Sequence, residues 1–126
     1  MATLKINELN KNFGITDVFK GINLDINDGD FLVLLGPSGC GKSTLLNTIS
    51  GLETINSGEI LIDNHVVNNM EPSDRDIALV FQSYALYPAM TVKKNVTFGL
   101  EQRKTPKEKI AQAQTEVSNL LQINEH

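Results

Sequence analysis

Cysteine occurs once in the 126 residues, at Cys40, so no internal disulfide can form and nothing points to an oxidising compartment. No run of about 18 apolar residues is present, so no transmembrane helix is expected. The opening segment Met1-Ala2-Thr3-Leu4-Lys5-Ile6-Asn7-Glu8 has no apolar stretch and does not read as a signal peptide, so a cytoplasmic chain is expected. Basic residues are in deficit, 11 against 15 acidic, for a net charge of −4. Chains that gather nucleic acid by bulk charge are usually basic, so general DNA or RNA binding is disfavoured. A phosphate ligand is not excluded, because a few N–H groups and one lysine can outweigh a weak negative average. The two histidines, His65 and His126, do not stand at metal-ligand spacing with Cys40, so no zinc site is expected, and His65 reads as a solvated turn residue. Collagen-like and low-complexity classes are excluded by the average share of glycine, 9 residues. What remains, 40% apolar and 21% charged, is a chain with room for one globular domain.

The apolar pattern predicts an α/β chain. Leu4, Ile6 and, less regularly, Leu9 suggest a first strand. Ile22-Asn23-Leu24-Asp25-Ile26 alternates as a half-buried strand, and Asn27-Asp28-Gly29-Asp30 is a turn cluster. Phe31-Leu32-Val33-Leu34-Leu35 and Ile77-Ala78-Leu79-Val80-Phe81 are continuous apolar runs, expected as strands covered on both faces. Glu59-Ile60-Leu61-Ile62-Asp63 predicts a strand that turns at Asn64-His65 into Val66-Val67. A helix is predicted from Ser43 to Ser50 with Gly51 as its stop. A second is predicted with Thr105 as N-cap, Pro106 at its first position and Glu108 closing the cap, its apolar face carried by Ile110, Ala113, Val117, Leu120 and Leu121.

The strongest chemical signal is Gly36-Pro37-Ser38-Gly39-Cys40-Gly41-Lys42-Ser43-Thr44, which matches G-x-x-x-x-G-K-[ST] between an apolar run and a helical pattern. The free N–H groups of such a loop and of the first helical turn hold anionic oxygens. Gly36, Gly39 and Gly41 let the backbone approach phosphates closely; Lys42 is placed to reach the β- and γ-phosphates, and the Ser43 hydroxyl is a hard ligand for Mg²⁺. Thr44 breaks the G-x-G-x-x-G dinucleotide fingerprint. Cys40 reads better as a small side chain in a crowded loop than as a reactive thiol, since no partner for thiol chemistry is evident.

Beyond the loop, Phe81-Gln82-Ser83-Tyr84-Ala85-Leu86-Tyr87-Pro88, with Met90-Thr91-Val92 and Asn95-Val96, closely resembles the Q-loop region of ATP-binding-cassette (ABC) transporter ATPases. Gly51-Leu52-Glu53, Ser57-Gly58-Glu59-Ile60 and Pro72-Ser73-Asp74-Arg75-Asp76-Ile77 are similar to the same family, nearest to subunits powering carbohydrate and glycerol-3-phosphate importers. The resemblance implies a P-loop NTPase core of the ABC ATPase type with an N-terminal antiparallel β portion. Residues 1–30 would be the antiparallel, nucleoside-binding part, 31–82 the phosphate-loop core, and 83–126 the Q-loop and the start of a helical subdomain. It implies ATP and Mg²⁺ as cofactors, bound by residues 36–44. It assigns Gln82 to the Mg²⁺ and attacking-water site, Phe13 to an adenine-stacking aromatic and Val18 to an apolar nucleoside contact. The alternative for Phe13 is a core or edge residue of a hairpin. The loop from Ser83 to Met90 would receive a membrane permease subunit, or else close local packing. A second ATPase subunit would complete the dimer, peripheral to the inner face of the cell membrane.

The family's later motifs, Leu-Ser-Gly-Gly-Gln and an apolar strand ending in Asp-Glu, are absent from these 126 residues. Lys42, Ser43 and Gln82 are present without the carboxylates that family relatives use on Mg²⁺ and water, so little ATPase activity is expected of this chain alone. The expected function is the partial ATP-binding subunit of a sugar-type importer; a non-catalytic module that binds nucleotide or a transporter subunit is the alternative. The strands expected to be buried would expose apolar edges and faces if their neighbours are missing.

Overall fold

The computed structural model describes residues 2–83 and 86–123. The chain divides into two compact units, Met1–Leu79 and Val80–His126.

The first unit is built on a hairpin of β1 (Leu4–Phe13) and β2 (Thr16–Ile26). With β3 (Ser57–Ile62) and β4 (His65–Val66) it forms an antiparallel sheet in the order β2-β1-β3-β4. The inward residues of β1 are Ile6, then Leu9 and Lys11, so the alternation changes phase once. A bulge explains this. Glu8 adopts φ 46°, and the pairing with both neighbours shifts after Ile6 or Asn7. Opposite the bulge stands Gly58 at φ 97°, where a Cβ would lie 2.5 Å from Glu8 O. The Asn23 side chain takes the Glu8 N–H at 2.9 Å and donates to the Glu8 carboxylate. Leu9 is irregular in sequence because the strand itself is bulged.

Helix α1 (Lys42–Ser50) ends at Gly51, φ 80°, whose N–H reaches the Asn47 and Thr48 carbonyls. The buried core of this unit is Ile6, Leu9, Leu45, Ile60 and Val67, with Leu34 and Ile49 packed against it.

Residues 31–35 and 77–81 are not strands, contrary to expectation. Phe31 is 92% exposed, Leu35 88% and Val80 81%, and of the first run only Leu34 reaches the core. A strand forms only where a neighbour takes its N–H and C=O groups, and among the described residues no strand pairs with either run.

The second unit holds α2 (Val92–Gln102) and α3 (Lys107–Leu121). Helix α2, not foreseen in the sequence, is capped by Thr91, whose hydroxyl accepts from the Lys94 N–H at 3.2 Å. Helix α3 starts one residue later than expected: Pro106 is the N-cap and no side chain caps it. The Thr105 N–H is instead used on the Leu100 carbonyl, closing the end of α2 at 3.0 Å.

Candidate functional site

The phosphate-loop residues are held by backbone geometry. Gly36, Pro37, Ser38, Gly39 and Cys40 are all exposed, with a turn at 37–40 closed by the Cys40 N–H on the Pro37 carbonyl at 3.4 Å. Gly39 and Gly41 have φ 79° and 96°, the left-handed region that side chains resist. Gly41 is the N-cap of α1; no side chain caps the helix and its first turn holds no acidic residue. The N–H groups of this first turn therefore have no side-chain acceptor, and the positive end of the helix dipole lies behind them, an arrangement suited to an anion.

Lys42 turns its ammonium back into the loop, donating to Gly36 O at 2.8 Å and Pro37 O at 2.7 Å, with Cys40 Sγ at 3.4 Å. Neutral carbonyls are weaker acceptors than phosphate oxygens, so an entering anion competes for this ammonium. A Cβ on Gly36 would lie 2.7 Å from Cys40 Sγ and 3.9 Å from Lys42 Nζ. Cys40 thus fills the loop against a glycine, and its thiol is exposed. The exposed Ser43 hydroxyl lies in the first turn of α1, and Thr44 is half-buried. An uncapped helix start, a lysine on replaceable carbonyls and a hard hydroxyl form a donor set that fits a polyphosphate with Mg²⁺.

Val18 joins this site. A Cβ on Gly41 would lie 2.8 Å from Val18 Cγ1 and 3.4 Å from Phe19 Cδ1, so β2 packs directly on the N-cap of α1. Phe13 closes β1 opposite Thr16 and is 51% exposed. The Lys11 ammonium stands 4.5 Å from its ring centroid. Gln82 is exposed and belongs to the second unit.

Two residues, Lys11 beside Phe13 and Arg75 at the far end of α1, carry roles that the sequence did not announce. Lys11, 5% exposed, pairs with Glu53 at 2.7 Å, and the Lys11 hydrogen bond holds the Glu53 carboxyl below its ordinary range. Arg75, 4% exposed, donates to Thr48 O and Ile49 O at the end of α1, both at 3.0 Å, and to Met70 O at 3.0 Å and Asn68 O at 3.3 Å. Burial pushes its guanidinium down, against the charge of Glu71. In sequence it stood within the family-like segment Pro72–Ile77, which gave no sign of its partners, and arginine is a residue type that is mostly exposed.

In the second unit, the expected docking loop is latched to α2. Asn95 accepts from the Tyr87 N–H at 2.8 Å and donates to the carbonyls of Tyr87, Met90 and Thr91. The Tyr87 ring meets Phe98 with centroids 4.9 Å apart, while Leu86 is 75% exposed. Tyr84 and Ala85 of this loop, and His126, lie outside the described residues. Among the described residues no helix is long and apolar enough to cross a membrane.

A family profile described as ABC transporter matches residues 19–126. The sn-glycerol-3-phosphate import ATP-binding protein UgpC of Bartonella bacilliformis is 54% identical over 125 residues, 98% of this chain and 36% of that protein. The protein of the same name from Rhizobium meliloti is 53% identical over 124 residues, again 98% of this chain and 36% of the relative. The chain thus spans about a third of the length of these relatives. Among solved structures, a dimeric post-hydrolysis state of the ATP-binding cassette MJ0796 bound to ADP and Pi aligns with TM-score 0.80 and 30% identity, over 97% of this chain and 58% of that one. A nucleotide-free ATP-binding cassette from an ABC transporter aligns with TM-score 0.69 and 29% identity, over 87% of this chain and 45% of that one.

Proposed function

This chain belongs to the ABC transporter family, and from that premise we propose that residues 36–44 bind the phosphates of MgATP within an importer's ATP-binding subunit. The observation that carries the reading is the uncapped N-terminus of α1 at left-handed Gly41, with the Lys42 ammonium resting on the Gly36 and Pro37 carbonyls. Backbone N–H groups from the loop and first turn cradle phosphate oxygens, Lys42 neutralises charge on the β- and γ-phosphates, and the Ser43 hydroxyl contributes an oxygen to Mg²⁺. Bound Mg²⁺ supplies charge neutralisation on the phosphates. Phe13 offers a stacking face to the base and Val18 an apolar contact to the nucleoside. The Gln82 amide, with an acceptor oxygen and two donor hydrogens, serves Mg²⁺ and the attacking water.

Residues 1–30 are the antiparallel nucleoside-binding part, 31–82 the phosphate-loop core, and 83–126 the Q-loop and start of a helical subdomain. The whole protein couples ATP hydrolysis to uptake of a solute. The relatives' names support sn-glycerol-3-phosphate or a similar polar, sugar-type compound. It works as a pair of such subunits beneath a membrane permease on the inner face, with the loop from Ser83 to Met90 as the permease contact. Its exposed Leu86 and half-exposed Tyr87 suit that contact.

Calorimetric titration of the chain with MgATP tests the reading. Lys42→Ala should weaken binding by roughly tenfold or more, the loss of one charge-assisted contact to phosphate. Equal affinity in the variant and the parent would refute the assignment.

A further inference from the structure

Lys11 lies outside the phosphate-loop and Q-loop motifs, yet it is a buried cation beside Phe13. It is 5% exposed, its Nζ is 2.7 Å from Glu53 Oε1, and the same atom stands 4.5 Å from the Phe13 ring centroid. The surrounding backbone is fastened too. The Asn12 N–H donates to Asn56 Oδ1 at 2.8 Å, the Asn56 N–H donates to Asn10 O at 3.0 Å, and the Asn10 side chain donates to Ser57 Oγ at 3.0 Å. The end of the hairpin is therefore tied to the segment that follows α1. Phe13 itself is 51% exposed, so about half of the residue stays accessible while the ammonium stands over the ring.

We propose that Lys11, held by Glu53, is a positioning residue that fixes Phe13 as the platform for a nucleobase, separating base recognition from phosphate capture at residues 36–44. The proposal rests on the nucleotide reading above. A cation attracts π density to its own side of a ring, which leaves the outer face less repulsive to the π cloud of a stacked base. The contact also orders a side chain that would otherwise lose rotamer freedom when the base binds. A lysine that served only stability would, on removal, weaken every ligand alike. A platform lysine weakens only ligands that carry a base.

Calorimetry on the full chain with two probes, MgATP and Mg²⁺ tripolyphosphate, separates these roles. Lys11→Met should lower ATP affinity roughly three- to tenfold and leave tripolyphosphate affinity unchanged. Lys11→Arg, which keeps a cation for Glu53 and the ring, should retain most of the ATP affinity. In a Phe13→Leu background, Lys11→Met should change the ATP-to-tripolyphosphate ratio no further, because the ring through which it acts is gone. An unchanged ratio in Lys11→Met, or equal losses for both probes, would overturn the proposal while leaving the phosphate site intact. Failure of the parent chain to bind either probe would overturn the nucleotide reading itself, and this inference with it.

Discussion

At the scale of single residues, the most consequential side chain away from the phosphate loop is Arg75. A guanidinium 4% exposed must direct its donors to acceptors, and here four carbonyls receive them, two at the C-terminal end of α1. That position completes the carbonyls that a helix end leaves unpaired and sets a cation at the negative end of the dipole. It also explains Gly51 beyond its φ of 80°, since a Cβ there would lie 2.7 Å from Arg75 Nε. Arg75→Met removes the donors but leaves the buried carbonyls, and should cost about 3 kcal/mol. Arg75→Lys should recover only part, because a point charge cannot span the positions that a planar fork reaches. Urea denaturation is the measurement, read as a shift in midpoint at constant slope. A loss within about 0.5 kcal/mol, the range of ordinary surface changes, would contradict the role. None of this was legible from sequence, because the partners are backbone carbonyls far along the chain that any sequence would supply.

At the scale of elements, what could be read depended on where each element finds its hydrogen-bond partners. Helix α1 and its glycine stop follow from local residues, and the structure has them at Lys42–Ser50 and Gly51. Strand β1 follows from Leu4, Ile6 and Leu9 once the bulge at Glu8 is allowed to shift the phase, β3 from its apolar run Ile60–Ile62, and alternation marked only Ile22–Ile26 of β2, which the structure extends back to Thr16. The runs at 31–35 and 77–81 have strand composition without a paired neighbour, so composition alone misled there. Helix α2 was missed for the opposite reason. Val92, Val96 and Thr97 are β-branched and Gly99 is a poor helix former, so propensity gave no signal and only the Thr91 cap marked its start. The phosphate loop was legible because its geometry is built from glycines at fixed offsets. Gly41 is the sharpest case: it needs φ 96° and its missing Cβ makes room for Val18, 2.8 Å away. Gly41→Ala should therefore displace either the loop or β2, with MgATP affinity falling about tenfold or more in a filter-binding or calorimetric assay. A Gly41→Ala chain that binds as well as the parent would show that this approach of strand and loop is dispensable.

At the scale of the whole molecule, binding and turnover separate. Phosphoryl transfer to water needs the γ-phosphate charge neutralised, Mg²⁺ held in place and the attacking water oriented. The proposed contributors here are Lys42 and Ser43 in the first unit and Gln82 in the second. The 126 residues contain no apolar strand ending in Asp-Glu and no Leu-Ser-Gly-Gly-Gln segment, and they span about 36% of the length of the relatives. An amide can orient water, but it is not a base, and Lys42 stabilises charge without accepting a proton. The chain alone should then hold MgATP without sustained hydrolysis: phosphate release should stay near the rate of the Lys42→Ala control, although the two differ in affinity. The two measurements must be made on the same preparation, since a chain that had failed to fold would also be inactive but would not bind. Steady turnover by the parent chain that Lys42→Ala abolishes would mean that these three residues suffice for the chemistry, and the division between capture and hydrolysis would have to be abandoned.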